Sequence, residues 1–233
     1  MAQQGVSGLV GDAIGAITRH IRENDLMPGD RLPSEAALSR ELNVSRPVVR
    51  EAFRSLAAVR IIELATGKRA QVGSLDHGAI GLMIEHGVHT DQISIQQIYD
   101  VRQTVETRIV TLAAIRRSDR EAEGVLALVR AMRDAAPDPE RLMDRDLDFH
   151  QALAQASRNP VFALIVGSFR GITRQTWPIG WRSRASEESR DRMLATHEEI
   201  ARAVADGNPA AAADAMRRHF EDSVRALLAA GVS

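Results

Sequence analysis

The sequence has no cysteine, few aromatic residues and a single lysine. The absence of cysteine excludes a disulfide framework and thiolate chemistry, and it fits a reducing cytoplasm. Aromatic residues make up 3% of the 233 positions whereas hydrophobic residues make up 44%, so the core must be mainly aliphatic. No apolar run approaches the roughly 18 residues that a membrane-spanning helix needs, and the N-terminus lacks the pattern of a secretory signal. We therefore expect a cytoplasmic protein that does not bind the membrane.

Charge is distributed unevenly along the chain, although the net charge is only −1. Residues 1–74 hold ten Arg or Lys against eight Asp or Glu, and residues 75–233 hold twenty against twenty-three. A mildly basic part beside an acidic one is compatible with DNA binding by one small domain. The chain is long enough for two modest domains. We predict a DNA-binding domain over residues 1–74 and a second domain over residues 75–233.

The stretch from residue 42 to residue 56, LNVSRPVVREAFRSL, predicts a short helix with two contrasting faces. Ser45 is a suitable N-cap, and Pro47 fits the first turn, where a backbone N–H has no partner within the helix. Residues at helical spacing form one apolar face: Val49, Phe53 and Leu56. The other face carries three arginines spaced four apart: Arg46, Arg50 and Arg54. Such a helix suits the groove of DNA, and taken alone it suits a solvated surface equally well.

The elements around this helix favour DNA binding. A helical period runs from residue 6 to residue 24, and the MPGD turn at 27–30 separates it from a second short helix. Two short strands, at 61–64 and 70–72, flank a basic tip that contains Lys68. A pair of short helices followed by such a hairpin predicts a winged helix-turn-helix.

The rest of the chain has the pattern of helices. Seven segments show aliphatic periodicity and are separated by Gly, Pro, Asn or Asp: 76–86, 94–117, 119–135, 139–157, 160–177, 187–206 and 209–230. Short connections favour antiparallel neighbours. The predicted fold class is therefore mainly α, with an N-terminal winged helix-turn-helix and a C-terminal antiparallel bundle of about six or seven helices.

A candidate metal site begins with Asp146 and His150. Four residues apart on a helix, their side chains leave the same face and can chelate one divalent ion. A hydrogen bond between the two side chains would explain the spacing equally well. His197 and His219 lie in two later helical segments, where each alone is typical of a hydrogen-bonded core or surface histidine. The spacing by itself leaves both interpretations open.

Residues 28–72 resemble the winged helix-turn-helix of the GntR family of bacterial transcription regulators. The matching motifs are PGDRLPSE at 28–35, VSRPVVREA at 44–52 and GK at 67–68. The resemblance implies that these residues contact DNA: Arg31, Ser45, Arg46, Pro47, Arg50, Gly67 and Lys68. Two positions depart from the family pattern. Ala36 stands where the second helix usually has an arginine, and Arg60 stands where a glycine commonly precedes the first wing strand.

Residues 95–230 resemble the all-helical effector domain of the FadR subfamily of these regulators. The matching pieces include VRxxxE at 101–106, DxxFH at 146–150, His197, and HF at 219–220. In metal-binding members the corresponding residues hold a divalent cation, which implies four ligands here: Asp146, His150, His197 and His219. Three imidazoles and one carboxylate suit Zn, Ni, Mn or Fe and do not choose among them.

The same resemblance implies a small carboxylate effector at open coordination positions of the metal. Arg102 matches an arginine that points toward the cavity in relatives, where it could form a bidentate pair with a carboxylate. It could instead form a salt bridge with Glu106. Trp177 is similar to a tryptophan that lines the effector pocket of sugar-acid regulators of the galactonate type. It could instead be an ordinary packing residue at a helix end.

These features and the resemblance predict a homodimeric regulator that acts as a repressor, as is common in the family, binds an inverted-repeat operator and responds to a sugar acid or hydroxy acid. One alternative is a metal-dependent hydrolase or lyase with a DNA-binding head. That chemistry needs a general base beyond the ligands, and Asp148 points about 160° away from the Asp146–His150 face of the helix, so we expect no enzyme. The other alternative is a sensor of the metal itself.

Overall fold

The secondary structure of the protein is almost entirely helical. The computed structural model describes the backbone of residues 2–232 and the side chains of residues 8–232, and this part of the chain forms eleven α-helices and one two-stranded sheet. The mainly α fold class is thereby confirmed. None of the described helices is both long enough and apolar enough to cross a membrane. The chain divides into two compact units, one ending at Ala79 and the other beginning at Ile80.

The first unit is built around its third helix. The helices are α1 (Ala2–Glu23), α2 (Glu35–Glu41) and α3 (Arg46–Ala58), and the strands are β1 (Ile62–Glu63) and β2 (Gln71–Val72). Both α1 and α2 pack against α3. The two strands pair antiparallel, with Ile62 opposite Val72. The buried core is mostly aliphatic and includes Ala13, Ile17, Leu32, Leu38, Val49, Phe53 and Leu56.

The start of α3 is set by Ser45 and Pro47. Ser45 occupies the N-cap position in an extended conformation, and Pro47 lies in the first turn. The hydroxyl of Ser45 makes no capping hydrogen bond, whereas Ser34 Oγ accepts one from the N–H of Ala37 at the start of α2. The turn before α3 passes through Asn43 at φ 50°, a left-handed conformation that asparagine tolerates. The Ser45 hydroxyl is therefore exposed and does not cap its own helix.

The wing is shorter than predicted and has a left-handed residue at its base. Only Ile62–Glu63 and Gln71–Val72 form paired strand residues. Arg60, where the family commonly has glycine, adopts φ 61°, a region that costs a residue with a Cβ about 1–2 kcal/mol. A Cβ on Gly73 would lie 2.3 Å from the carbonyl oxygen of Arg60, so this close approach requires glycine. At the tip, Gly67 takes φ 73°.

Apart from the first two residues of α4, the second unit contains the remaining helices, and most of them form a bundle. They are α4 (Gly78–His89), α5 (Ile95–Arg116), α6 (Asp119–Ala135), α7 (Pro139–Ala156), α8 (Pro160–Ser168), α9 (Arg170–Ser183), α10 (Glu187–Ala205) and α11 (Pro209–Ala229). The helix α5 packs against α11 and α7, and α10 packs against α6 and α11. The buried core of the bundle includes Val110, Phe149, Leu153, Ile200, Met216 and Phe220.

One predicted helical segment, 160–177, forms two helices. Phe169 lies between α8 and α9, and its N–H donates to the carbonyl of Val166 (3.2 Å), three residues back, as in a tightened last helical turn. The helix α9 then continues through Pro178. This extension places both tryptophans of the chain on one helix.

Side-chain caps fix the helix starts in the second unit. Ser94 and Ser118 form reciprocal capping boxes with Gln97 and Glu121. The helices α7, α8 and α11 each begin with a proline after a capping Asp or Asn. These local signals explain why the predicted starts of these helices lie so close to the observed ones.

Candidate metal centre and nucleic-acid interface

Three buried histidines from three helices converge inside the bundle. His150 lies on α7, His197 on α10 and His219 on α11, and one ring nitrogen of each lies within 4.8 Å of the others. The ring centroids of His197 and His219 are 4.5 Å apart, and those of His150 and His219 are 5.1 Å apart. Imidazole nitrogens in such an arrangement can bind one transition-metal ion.

Asp146 lies one turn before His150 on α7. Its Oδ1 atom is 2.7 Å from Nε2 of His197, and its side chain is buried. Burial alone would raise the pKa of this carboxyl group, but the neighbouring His197 and His150 outweigh burial, and the pKa of Asp146 lies well below its ordinary value. The group is therefore an ionised carboxylate that can serve as a ligand. The structure thus places all four predicted ligands along one cavity.

Hydrogen bonds orient two of the imidazoles. Nδ1 of His197 donates to the carbonyl oxygen of Met193 at 2.8 Å, and Nδ1 of His150 donates to the carboxylate of Glu106. A carbonyl and a carboxylate can only accept, so in each neutral ring Nδ1 carries the hydrogen and Nε2 carries the lone pair. Nε2 of His150 is buried and has no hydrogen-bond partner in the described part of the chain, whereas Nε2 of His197 lies 2.7 Å from Oδ1 of Asp146. Metal-binding histidines are commonly held in this way, by a carbonyl or carboxylate at the other nitrogen.

The remaining donor atoms also favour a cation. Burial, followed by the neighbouring His197 and His150, lowers the pKa of His219 well below its ordinary value, so this ring is neutral and has a free lone pair. Nε2 of His197 and Oδ1 of Asp146 face each other at 2.7 Å. A buried carboxylate and a buried imidazole nitrogen at this distance can hold a proton or a metal ion between them. The donor set therefore fits a divalent cation.

Glu106 is the site residue whose role the sequence did not reveal. Its Oε1 accepts a hydrogen bond from Nε of Arg102 at 2.9 Å, and its Oε2 accepts one from His150. Burial would raise the pKa of Glu106, but His150 and Arg102 outweigh burial and lower it, so the carboxylate is ionised. The four-residue spacing signalled the contact with Arg102. The contact with His150 crosses 44 residues of sequence, and no local pattern signals it.

Arg102 lines a cavity of about 40 Å³ beside the histidines. Its Nη1 donates to the hydroxyl of Thr173 at 3.1 Å, and its guanidinium lies over the rings of Tyr99 and Phe220. The salt bridge with Glu106 is therefore present, and Arg102 faces the cavity as well. Both interpretations of this arginine agree with the structure.

Trp177 lines the same cavity and stacks on Trp181. The ring centroids are 5.4 Å apart and the ring planes differ by 15°. The guanidinium of Arg190 lies over the ring of Trp181, 4.8 Å from its centroid. The structure therefore places both predicted effector residues, Arg102 and Trp177, at one cavity.

The predicted DNA-contacting residues all lie on the surface of the first unit. The exposed set is Arg31, Ser45, Arg46, Pro47, Arg50, Gly67 and Lys68. They occupy the start and outer face of α3, the wing tip and, at Arg31, a position that bridges to Gln71 of the wing. The predicted buried face of α3 is also present, and Val49 is fully buried.

Arg50 has a partner on α2. Its Nη2 donates to Oε2 of Glu35 at 2.9 Å, and its Nε lies 3.2 Å from the same oxygen. The pair sits in a cleft between α3 and the wing that Arg54 and Lys68 also line. Glu35 therefore holds Arg50 on the exposed face of the helix pair.

Comparison with known proteins matches both units to described families. Residues 9–72 match the family described as bacterial regulatory proteins, gntR family, and residues 97–222 match the FCD domain. Over 207 residues the chain is 30% identical to the HTH-type transcriptional regulator LutR of Bacillus subtilis, covering 86% of this chain and 92% of that protein. Over 215 residues it is 27% identical to the galactonate operon transcriptional repressor of Escherichia coli, covering 90% and 92%. A solved structure of a Streptococcus agalactiae GntR protein superposes with a TM-score of 0.69 at 30% identity, covering 93% of this chain and 98% of that one.

The chain therefore belongs to the GntR family of bacterial transcription regulators, and its second unit carries an FCD domain. These domains and relatives are those of transcription regulators and not of enzymes. The GntR match includes every predicted DNA-contacting residue, and the FCD match includes every predicted metal ligand.

Proposed function

We propose that this regulator is a cytoplasmic homodimer that represses transcription at an inverted-repeat operator, and that its DNA affinity changes when a small carboxylate binds beside a divalent metal ion in the bundle. The observation that carries the proposal is the convergence of three buried histidines, His150, His197 and His219, beside a cavity that Arg102 lines. A DNA-binding unit joined to such a site has the parts of a one-component sensor. Two copies related by a two-fold axis would read two half-sites of opposite orientation.

The metal would be held by Asp146, His150, His197 and His219. In tetrahedral coordination these ligands close the site, and in octahedral coordination they leave two positions open. A bound cation supplies a Lewis-acidic partner for the oxygens of an organic acid at those positions. Arg102 supports the proposal because a guanidinium can add charge-assisted hydrogen bonds to the same carboxylate.

The size of the cavity bears on the class of acid. The cavity volume is about 40 Å³, which corresponds to roughly three water molecules at about 10–15 Å³ each. A short hydroxy acid displaces about that much water, whereas a sugar acid of galactonate size would have to extend beyond this space. The galactonate operon repressor among the relatives supports testing sugar acids as well. We place short hydroxy acids first.

A DNA-shift titration tests the effector class, the metal and the sign of the response together. The wild-type protein first selects its operator from random duplexes. The complex is then titrated with short hydroxy acids and sugar acids, with and without EDTA. We expect an acid to release DNA in the absence of EDTA and to have little effect in its presence. If DNA release follows metal concentration with no acid present, the metal is the signal and the effector proposal is wrong.

Substitution of Arg50 tests the DNA-reading surface. If Arg50 contacts a guanine in a bidentate manner, Arg50→Ala should remove about 1–3 kcal/mol of discrimination against the wrong base. The exposed pair with Glu35 contributes little stability, so the circular dichroism spectrum and dimerisation should not change. Arg192→Ala, which removes an exposed arginine from α10, is the matched control. An operator footprint of Arg50→Ala equal to the wild-type footprint would show that Arg50 does not read sequence.

A further inference from the structure

Glu106 joins the two halves of the proposed ligand site. It is 2% exposed and lies between Arg102 on its own helix and His150 on α7. One carboxylate oxygen accepts from the arginine and the other accepts from the imidazole. Each of these donors also faces the cavity. A single buried carboxylate is therefore shared between the candidate carboxylate-binding residue and a candidate metal ligand.

Because Arg102 and His150 donate to the same carboxylate, the strength of each hydrogen bond depends on the other. In a buried site the charge of a carboxylate is screened only by its own partners. When Arg102 is drawn toward an organic carboxylate, more of the Glu106 charge remains available to the Nδ1–H of His150. A stronger acceptor at Nδ1 makes Nε2 a better electron donor to a metal. The effect of one partner on the other is reciprocal, as linkage requires.

We propose that Glu106 is a positioning residue that fixes His150 as an Nε2 ligand and couples its ligand strength to the engagement of Arg102 by the effector. The proposal rests on the proposed metal and carboxylate site. It predicts that an organic acid and the metal each raise the affinity for the other, in part through residues of the chain rather than only through direct contact between the two. It also assigns opposite signs to two substitutions that would both weaken the site if Glu106 served packing alone.

The test measures Zn²⁺ affinity by calorimetry in competition with a chelator. Glu106→Gln keeps the size of the side chain but removes the charge, and we expect Zn²⁺ to bind about 10–100-fold more weakly. Arg102→Gln leaves Glu106 entirely to His150, and we expect Zn²⁺ to bind more tightly than to the wild type. Asp148→Asn is the matched control, since Asp148 lies on α7 but pairs with Arg145 and Arg170 rather than with a candidate ligand.

A second measurement does not depend on metal binding. In the metal-free protein, ¹⁵N chemical shifts of the His150 ring should report a strongly hydrogen-bonded hydrogen on Nδ1, and this signature should disappear in Glu106→Gln. Thermal unfolding checks that each variant folds. If Glu106→Gln fails to fold, the sign of the Arg102→Gln effect and the wild-type ring shifts decide the question.

Different results would overturn the proposed metal site and the proposed role of Glu106. A wild-type protein that binds none of Zn²⁺, Ni²⁺ and Mn²⁺ would overturn the proposed metal site, and with it this inference. A wild-type protein that binds Zn²⁺ while Glu106→Gln binds it equally well would overturn the inference alone. So would a loss of Zn²⁺ affinity of the same size in both variants, since that result is expected of a purely structural role.

Discussion

Metal loading should stabilise the bundle by an amount that can be estimated in advance. A ligand that binds only the folded state stabilises it by about 2.7 kcal/mol when its free concentration is a hundred times Kd. The second unit has about 150 residues, a size for which 1 kcal/mol corresponds to roughly 2–4 °C in Tm. We therefore expect Zn²⁺ at that excess to raise the Tm of the bundle by about 5–11 °C, and EDTA to reverse the change.

The substitution that tests this reasoning is His219→Asn. His219 is buried and provides one of the converging nitrogens, so the variant should lose most of the Zn²⁺-dependent rise in Tm while it still folds. His89→Asn is the matched control, because His89 is exposed on α4. Differential scanning calorimetry of the three proteins, in Zn²⁺ and in EDTA, makes the measurement. An equal rise in His219→Asn and in the wild type would refute the assignment of His219 as a ligand.

Three local features give further predictions. The backbone N–H and hydroxyl of Ser118 lower the pKa of Glu121 to about 2; because the folded-state pKa is depressed, this stabilisation is present above the ordinary pKa of 4.5 and is lost as the pH falls toward 2. With solvent screening, Glu121→Gln should cost about 1 kcal/mol at neutral pH and little near pH 2, as measured by urea unfolding. Arg60→Gly should be neutral or should stabilise the fold by up to about 1 kcal/mol, because glycine relieves the left-handed strain but also raises the entropy of the unfolded chain. Thermal unfolding should show that Arg60→Val is clearly less stable than the wild type. Phe53→Ala should cost about 3–5 kcal/mol, and calorimetry should show loss of the transition of the first unit while the Zn²⁺-dependent transition of the bundle remains.

The helix that presents the arginine row could be predicted well because its signals are local. A four-residue spacing places Arg46 and Arg50 on one face, and the apolar spacing buries the opposite face whatever else the chain does. The pairing of Arg50 with Glu35 could not be predicted, because it depends on how α2 packs against α3. The conformation of Arg60 was signalled only by comparison with the family pattern, which has glycine at that place.

In the metal centre, too, one pair of residues could be predicted from local spacing and the other contacts could not. The Asp146–His150 pair follows from helical spacing, but the approach of His197 and His219 depends on the packing of α7, α10 and α11. Spacing along the sequence carries no information on that packing, so only resemblance to a family joined the four residues. The division of the segment 160–177 was missed since its apolar period runs through Phe169 without a Gly–Pro break at that position. The metal itself, the effector and the dimer stay predictions.

The stacked tryptophans have a practical consequence. The chain has two tryptophans, and both are neighbours on α9 at the cavity wall. All indole emission from this protein therefore arises at one location, so a spectral change on adding a compound reports on the cavity without background from distant emitters. The unmodified protein thus carries its own optical probe, and a library of organic acids could be screened by fluorimetry before any operator is known.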